Sequence, residues 1–205
     1  ALHIIQPLLI MELSGSLGLA AFVATAETAV HMLGTLSSGG AADRLGSRRI
    51  LILATAGRAT SLALIPMAWA FGGLTLTWAL AAYTLDAFVR GFVDTGVHAL
   101  PMGLAEGDRV ELDRLNSSHE FAFDLAAVIG PLLLGVLLLS EKGFAAHLAI
   151  PFGFAAAALL YTLVPAERIG PSVQAAVAKP AWLDWGGWRR VAADRRLLLP
   201  VLGLA

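Results

Sequence analysis

The amino-acid sequence predicts an all-α membrane protein, in which six transmembrane helices form one bundle. Hydrophobic residues make up 58% of the 205 residues and charged residues only 14%, whereas a soluble domain has about 45–50% and about 25%. Five apolar runs each reach the roughly 20 residues that a helix needs to cross a bilayer. These runs show no alternation of period two, which argues against a transmembrane barrel. A soluble bundle would need polar outer faces, which runs of this kind do not provide.

The predicted elements follow one another along the chain with polar turns between them. The first helix is incomplete, because the opening apolar stretch, residues 1–13, is too short to cross a bilayer. The complete runs follow at residues 18–38, 49–71, 74–96, 117–140 and 144–164. We therefore predict an N-terminal transmembrane bundle over residues 1–164, a polar connector over residues 165–196 and the start of a seventh helix over residues 197–205.

Positive charges collect on one side of the predicted bundle. Eleven of the 14 Lys and Arg residues fall in alternate turns and in the connector, whereas the intervening turns contain only Lys142. Cytoplasmic loops of membrane proteins are enriched in Lys and Arg. The sequence therefore predicts a multi-pass protein of the cytoplasmic (plasma or inner) membrane, with the turn around Asp43 and the connector on the cytoplasmic side.

The turn between the second and third helices, residues 39–51, has the distinctive sequence GGAADRLGSRRIL. Together with the layout of six helices, a long connector and a seventh helix, it resembles the Major Facilitator Superfamily of transporters, whose signature here is G-x-L-a-D-R-x-G-R-R/K-x-x-L. The matching residues, with Arg49 beside them, are Gly39, Asp43, Arg44, Gly46, Arg48 and Leu51. Ala41 and Ser47 depart from the signature. The resemblance implies a conformational-switch loop that stabilises the outward-facing state; alternatively, its arginines only fix the orientation.

A second stretch, AAVIGPLLLG at residues 126–135 in the fifth helix, resembles the G-x-x-x-G-P-x-x-G-G motif of proton-coupled exporters in the same superfamily. Gly130, Pro131 and Gly135 stand at motif positions, whereas Ala126 and Leu134 replace glycines. The resemblance implies export. The alternative is an ordinary packing face with a proline kink, since both residue types are common in membrane helices.

The predicted fourth and fifth helices carry charged residues inside the bilayer, where such groups are costly and mark pathways or paired sites. Asp86, Arg90 and Asp94 recur every four residues and so share a helix face, as do Glu120 and Asp124. We expect a network with Arg90 between the carboxylates. Because several acids around one arginine cannot all stay ionised at low dielectric, one of them should couple transport to protons, Asp86 first and Asp124 second. The alternative is a static salt-bridge cluster.

The second helix contributes Glu27 and His31, which are also four residues apart and near mid-membrane. They could form a carboxylate–imidazole pair that relays protons, or a structural hydrogen bond between helices. Arg58 in the third helix needs an acidic partner, for which Glu27 is a candidate, or must reach toward the cytoplasmic surface. By the family resemblance, the first and fourth helices line the central cavity, so Gln6 is expected to contact substrate together with Asp86 and Arg90.

The remaining motif classes are absent: the sequence has no phosphate-binding loop, metal-ligand motif, nucleophile elbow or nucleic-acid patch. We therefore expect no enzyme, no cofactor, no metal and no nucleic-acid partner. The resemblance implies the N-terminal half of a secondary transporter that exports small amphipathic molecules in exchange for protons by alternating access. Its expected partners are the lipid bilayer, a small-molecule substrate, protons and the C-terminal half of the same protein. An uptake symporter of the same fold and a non-transporting scaffold or sensor are alternatives.

Overall fold

A computed structural model describes residues 2–105, 107–139 and 143–164, which form six α-helices. The helices are α1 (Leu2–Ser14), α2 (Leu17–Leu45), α3 (Ser47–Ala70), α4 (Leu76–Ala105), α5 (Arg109–Leu139) and α6 (Gly143–Thr162). By length and composition, Leu17–Leu45, Ser47–Ala70 and Arg109–Leu137 could each cross a membrane. The predicted all-α helical bundle is confirmed. The predicted connector, residues 165–196, and seventh helix, residues 197–205, lie outside the described residues.

Helix α2 is longer than the sequence predicted. Residues 39–45 were expected in a loop, but α2 continues through both glycines to Leu45, and the Gly46 N–H bonds to the Ala42 carbonyl at 2.9 Å. That expectation was wrong because a glycine costs an exposed helix only about 1 kcal/mol. The turn itself is a single residue, Gly46, whose φ of +80° is a conformation that favours glycine.

The helices α4 and α5 also extend beyond their apolar runs, so that little chain is left between them. Gly107, with φ of +92°, lies in this turn. Asp108 then caps α5, because its Oδ1 accepts a hydrogen bond from the Val110 N–H at 2.9 Å. The charged residues near Arg109, which the sequence placed in a loop, therefore belong to the first turns of α5.

The bundle is built around α3 and α4, which pack against each other; α2 packs on α4, and α6 packs on α3. One buried core cluster contains residues of α1, α2, α3 and α4, among them Leu9, Val23, Leu62 and Tyr83. The fifth helix packs least, and most of its side chains are exposed, among them Phe121 and Leu132. Large apolar side chains on such a face are suited to contact with lipid or with further helices.

The α2–α4 interface brings two backbones into direct contact. A Cβ on Gly34 would overlap the Phe88 carbonyl oxygen, and one on Gly91 would overlap the backbone of Gly34 and Thr35. Small residues permit such close helix crossings in membranes. One turn further on, the hydroxyl groups of Ser38 and Thr95 form a hydrogen bond across the same interface.

Candidate functional site

A polar pocket lies between α1, α2 and α4. Its volume is about 70 Å³, and its polar lining consists of His3, Gln6, Glu27, Thr28, Asp86 and Arg90. Glu27 and Asp86 each stand ten residues after the first residue of their helix, which places both roughly 15 Å from that helix end at 1.5 Å per residue. The pocket therefore gathers ionisable groups well inside the helices of the bundle, where charged groups of a membrane protein are costly.

The best-defined contact at this depth is the ion pair of Arg58 with Asp86. Arg58 Nε donates to Asp86 Oδ1 at 2.8 Å, and Arg58 Nη2 donates to Oδ2 at 3.0 Å. The side chains are only 10% and 4% exposed. The Phe154 ring of α6 covers the guanidinium, with 4.1 Å from Arg58 Cζ to the ring centroid. This bidentate pair therefore joins α3 to α4, and Phe154 of α6 covers it on one side.

This pair corrects two sequence expectations. Arg90 does not lie between carboxylates: its Nη1 donates to His3 Nε2 at 3.4 Å, on the α1 side of the pocket. Arg58 does have an acidic partner, but that partner is Asp86 and not the candidate Glu27. The reason is helix packing, because α3 lies against α4 more closely than against α2. The spacing of residues within one helix does not show which neighbouring helix a given face contacts.

Of the two alternatives for Glu27 and His31, the pair between them is not formed, whereas His31 does make a hydrogen bond between helices. His31 Nε2 lies 2.7 Å from Asp94 Oδ2, so the imidazole bridges α2 and α4 instead of its own helix. The close crossing at Gly34 and Gly91 brings the two side chains within reach. This contact lies at the edge of the bundle, where His31 is 21% and Asp94 45% exposed.

The carboxyl group of Glu27 also faces the pocket, but it has fewer hydrogen-bond donors around it than Asp86. Its Oε1 atom is buried and has no hydrogen-bond partner among the described residues. Gln6 of α1, which is 5% exposed, interacts with the Glu27 carboxyl group across the pocket. Glu27 is therefore the pocket carboxylate that lacks a full set of donors.

The two acidic residues of α5 do not join the cluster. Glu120 and Asp124 are exposed, and neither forms an ion pair with any described residue. The expected α4–α5 carboxylate network is thus contradicted, because α5 packs loosely on α4. At this interface the rings of His98 and His119 meet edge to face, 6.4 Å apart.

Within the predicted switch loop, Arg48 makes the clearest contact. Its Nη2 donates to the Thr162 carbonyl at 2.6 Å, at the last residue of α6. A cation at this position complements the partial negative charge of a helix C-terminus. Asp43, Arg44 and Arg49 are exposed, and a Cβ on Gly39 would meet no atom within 4 Å.

The helix 5 motif borders a second cavity. Gly130 lines an apolar groove of about 340 Å³ between α5 and α6, opposite Gly153 and Phe154. Pro131 lies inside α5 without ending it. A Cβ on Gly135 would meet no atom within 4 Å, so no close helix contact in the described residues requires a glycine there.

Sequence reasoning missed His3 and Phe154. His3 could have been found, because it stands three residues before Gln6 in an otherwise apolar stretch and so shares its helix face. Phe154 gave no signal, since one aromatic residue in an apolar helix is ordinary. Within the described part of the chain, no group of three or more His, Cys, Asp or Glu residues could hold a metal ion.

Comparison with known proteins places these features in context. The family model of the Major Facilitator Superfamily matches residues 2–205. The multidrug efflux pump Tap of Mycobacterium tuberculosis (strain ATCC 25618 / H37Rv) is 32% identical over 142 residues, which cover 67% of this chain and 33% of Tap. Tap of Mycolicibacterium fortuitum is 32% identical over 143 residues, covering 67% of this chain and 34% of its own. The match thus spans about a third of these relatives. No solved structure matches the chain.

Proposed function

Because the chain belongs to the Major Facilitator Superfamily, and is thus an integral multi-pass membrane protein, we propose that it forms the N-terminal half of a proton-coupled exporter. The exporter moves small amphipathic molecules by alternating access. The name of the related protein, multidrug efflux pump, supports export, as does the Gly130–Pro131 pair of the helix 5 motif.

The observation that carries the proposal is the polar pocket between α1, α2 and α4, well inside the helices. Charged groups in the bilayer are costly and mark substrate, ion or proton pathways. The pocket opens between α1, α2 and α4 and contains two carboxylates, an arginine and an imidazole. Such a group of side chains can bind a proton and the polar part of a substrate. The full cavity needs a second half, as in transporters built from structural repeats.

The segment around the α2–α3 turn, residues 39–51, acts in this proposal as a switch at the cytoplasmic face of the inner membrane. Arg48 links the start of α3 to the end of α6, so the ends of the two helices move together. Asp43 is exposed and available to a contact with the other half. A contact that exists in only one of two conformations biases the equilibrium between them.

The test uses the full-length protein in everted membrane vesicles with a fluorescent amphipathic dye as probe. An exporter driven by protons accumulates the dye when the vesicle interior is acidic, and a protonophore abolishes the accumulation. Dye accumulation that is independent of the pH gradient would contradict coupling to protons. Gradient-driven movement out of the vesicles would indicate an uptake symporter, and no movement in either direction would favour the scaffold or sensor.

A further inference from the structure

We propose that Glu27 is the group that binds the transported proton, and that Asp86 is a permanently ionised partner of Arg58 that holds the pocket in shape. This inference rests on the proposed proton-coupled transport and assigns the coupling residue within the same pocket. It reverses the order of preference that the sequence suggested, in which Asp86 came first.

The geometry of Asp86 disfavours a proton on its carboxylate. Both of its oxygen atoms accept hydrogen bonds from Arg58, at 2.8 and 3.0 Å. Protonation would break at least one of these bonds and leave the Arg58 charge uncompensated in the bundle interior. Removing one partner of a buried ion pair is strongly destabilising. Phe154 covers the other side of Arg58 and leaves the guanidinium little room to find another acceptor.

The geometry of Glu27 favours a proton. Its Oε1 is buried and receives no hydrogen bond from the described residues, and an ionised oxygen without donors is costly away from water. A proton taken from a hydronium ion in the pocket converts Glu27 to the neutral acid and leaves a water molecule behind. The pocket volume of about 70 Å³ has room for a water molecule, whose share of liquid volume is about 30 Å³.

The groups that face Glu27 come from two neighbouring helices. On α4 they are Tyr83, Asp86 and Arg90, and on α1 His3 lines the same pocket. Asp86 is compensated by Arg58 of α3. His31, one turn along α2, is engaged with Asp94. The His3 Nε2 lone pair accepts from Arg90. Glu27 Oε1 therefore has no donor among the described residues, and the hydroxyl group of Tyr83 is likewise buried without a partner.

The first test measures dye transport by full-length Glu27→Gln in proteoliposomes. We expect loss of gradient-driven accumulation, while dye counterflow in the absence of a gradient continues, because exchange needs no net proton movement. Glu27→Asp should recover gradient dependence, since it keeps a carboxyl group. Asp113→Asn, an exposed α5 carboxylate, is the control and should transport like the wild type. Gradient-driven accumulation by Glu27→Gln would overturn the assignment, and so would loss of counterflow together with it.

The second test identifies the protonated carboxyl group chemically. Dicyclohexylcarbodiimide reacts with protonated acids in apolar surroundings, and mass spectrometry locates the adduct in the full-length protein. We expect labelling at Glu27 that falls as the pH rises and as dye is added, with none at Asp86. Labelling at Asp86 in place of Glu27 would overturn the assignment even where the wild type is gradient-driven. If the wild type shows no gradient-driven transport, the proposed function fails, and the coupling role of Glu27 fails with it.

Discussion

Arg58 and Asp86 illustrate how a membrane-embedded charge is tolerated at the scale of single residues. The planar guanidinium fits both carboxylate oxygens, which is the geometry that makes arginine suited to paired, desolvated sites. The Phe154 ring adds a cation–π contact at 4.1 Å, worth about 0.5–2 kcal/mol depending on desolvation. In the proposed mechanism, the pair keeps one pocket carboxylate permanently charged, while Glu27 retains an oxygen without a donor.

Loss of one member of this pair should be more damaging than loss of both. We expect Asp86→Ala to lower the free energy of unfolding by about 3–5 kcal/mol, because Arg58 is left buried and unpaired. Arg58→Met combined with Asp86→Ala should recover most of that loss. Thermal unfolding in detergent, followed by circular dichroism, measures both variants. A double variant no more stable than Asp86→Ala would show that the ion pair is not the source of the effect.

At the scale of helices, the crossing of α2 and α4 determines which side chains meet. Gly34 and Gly91 let the two backbones touch, and the touching helices bring His31 to Asp94 and Ser38 to Thr95. The crossing also closes one side of the polar pocket, since Glu27 and Asp86 lie on the same two helices. A change in the distance between α2 and α4 therefore acts directly on the candidate site.

A methyl group at this crossing should force the helices apart. We expect Gly34→Ala to lower the free energy of unfolding by about 1–3 kcal/mol through overpacking. Gly39→Ala, in the same helix but with no atom within 4 Å of its Cβ position, should be neutral or stabilising by up to about 1 kcal/mol. Thermal unfolding of both variants in detergent makes the comparison. Equal destabilisation by the two substitutions would contradict the close approach of the backbones.

The end of α6 depends on Arg48 from the neighbouring helix α3. Arg48 Nη2 donates to the Thr162 carbonyl, so Arg48→Gln should destabilise the last turn of α6 by about 0.3–1 kcal/mol, and up to about 2 if the contact is well desolvated. Hydrogen exchange of amides in that turn should become faster. Arg49→Gln makes the same charge change at an exposed neighbour and should leave the exchange rate as it is. Faster exchange in both variants would point to a general charge effect.

At the scale of the whole molecule, the six helices form an incompletely covered bundle. The fifth helix exposes most of its length, including Phe123, Val128 and Leu133, and the matched segment corresponds to about a third of the related efflux pumps. An apolar surface of this extent is suited to lipid and to the helices of a second half. In the proposed transporter, the pocket between α1, α2 and α4 becomes part of a transport cavity only together with the second half.

The membrane topology can be tested with single cysteines, because this chain has none of its own. In a full-length cysteine-free background, Gly73→Cys should react with a membrane-impermeant maleimide added to intact cells, since the α3–α4 turn is expected outside. Asp43→Cys should react only after the cells are permeabilised, because the Arg-rich side is expected in the cytoplasm. Labelling of both positions from the same side would refute the proposed orientation.

The amino-acid sequence by itself determined the membrane class, the number of helices among residues 2–164 and their order. These properties depend on local apolar length and on where glycine permits a turn, as at Gly46. The family signature at Gly39 to Leu51 could also be recognised from the sequence alone. The helical conformation of its first residues could not be predicted in this way. Helix ends were missed where polar residues such as Arg109 continue a helix into water.

Only the tertiary structure decided which charges meet. Asp86 could pair with Arg90 on its own helix or with Arg58 on a neighbouring helix. The spacing of four residues between Asp86 and Arg90 is compatible with the first pairing, which the structure does not form. The choice depends on the packing of α3 against α4 and on backbone contact at Gly34, which no single helix pattern contains. The buried, unpartnered oxygen of Glu27 has the same origin, because the neighbouring helices determine which donors come within reach of it.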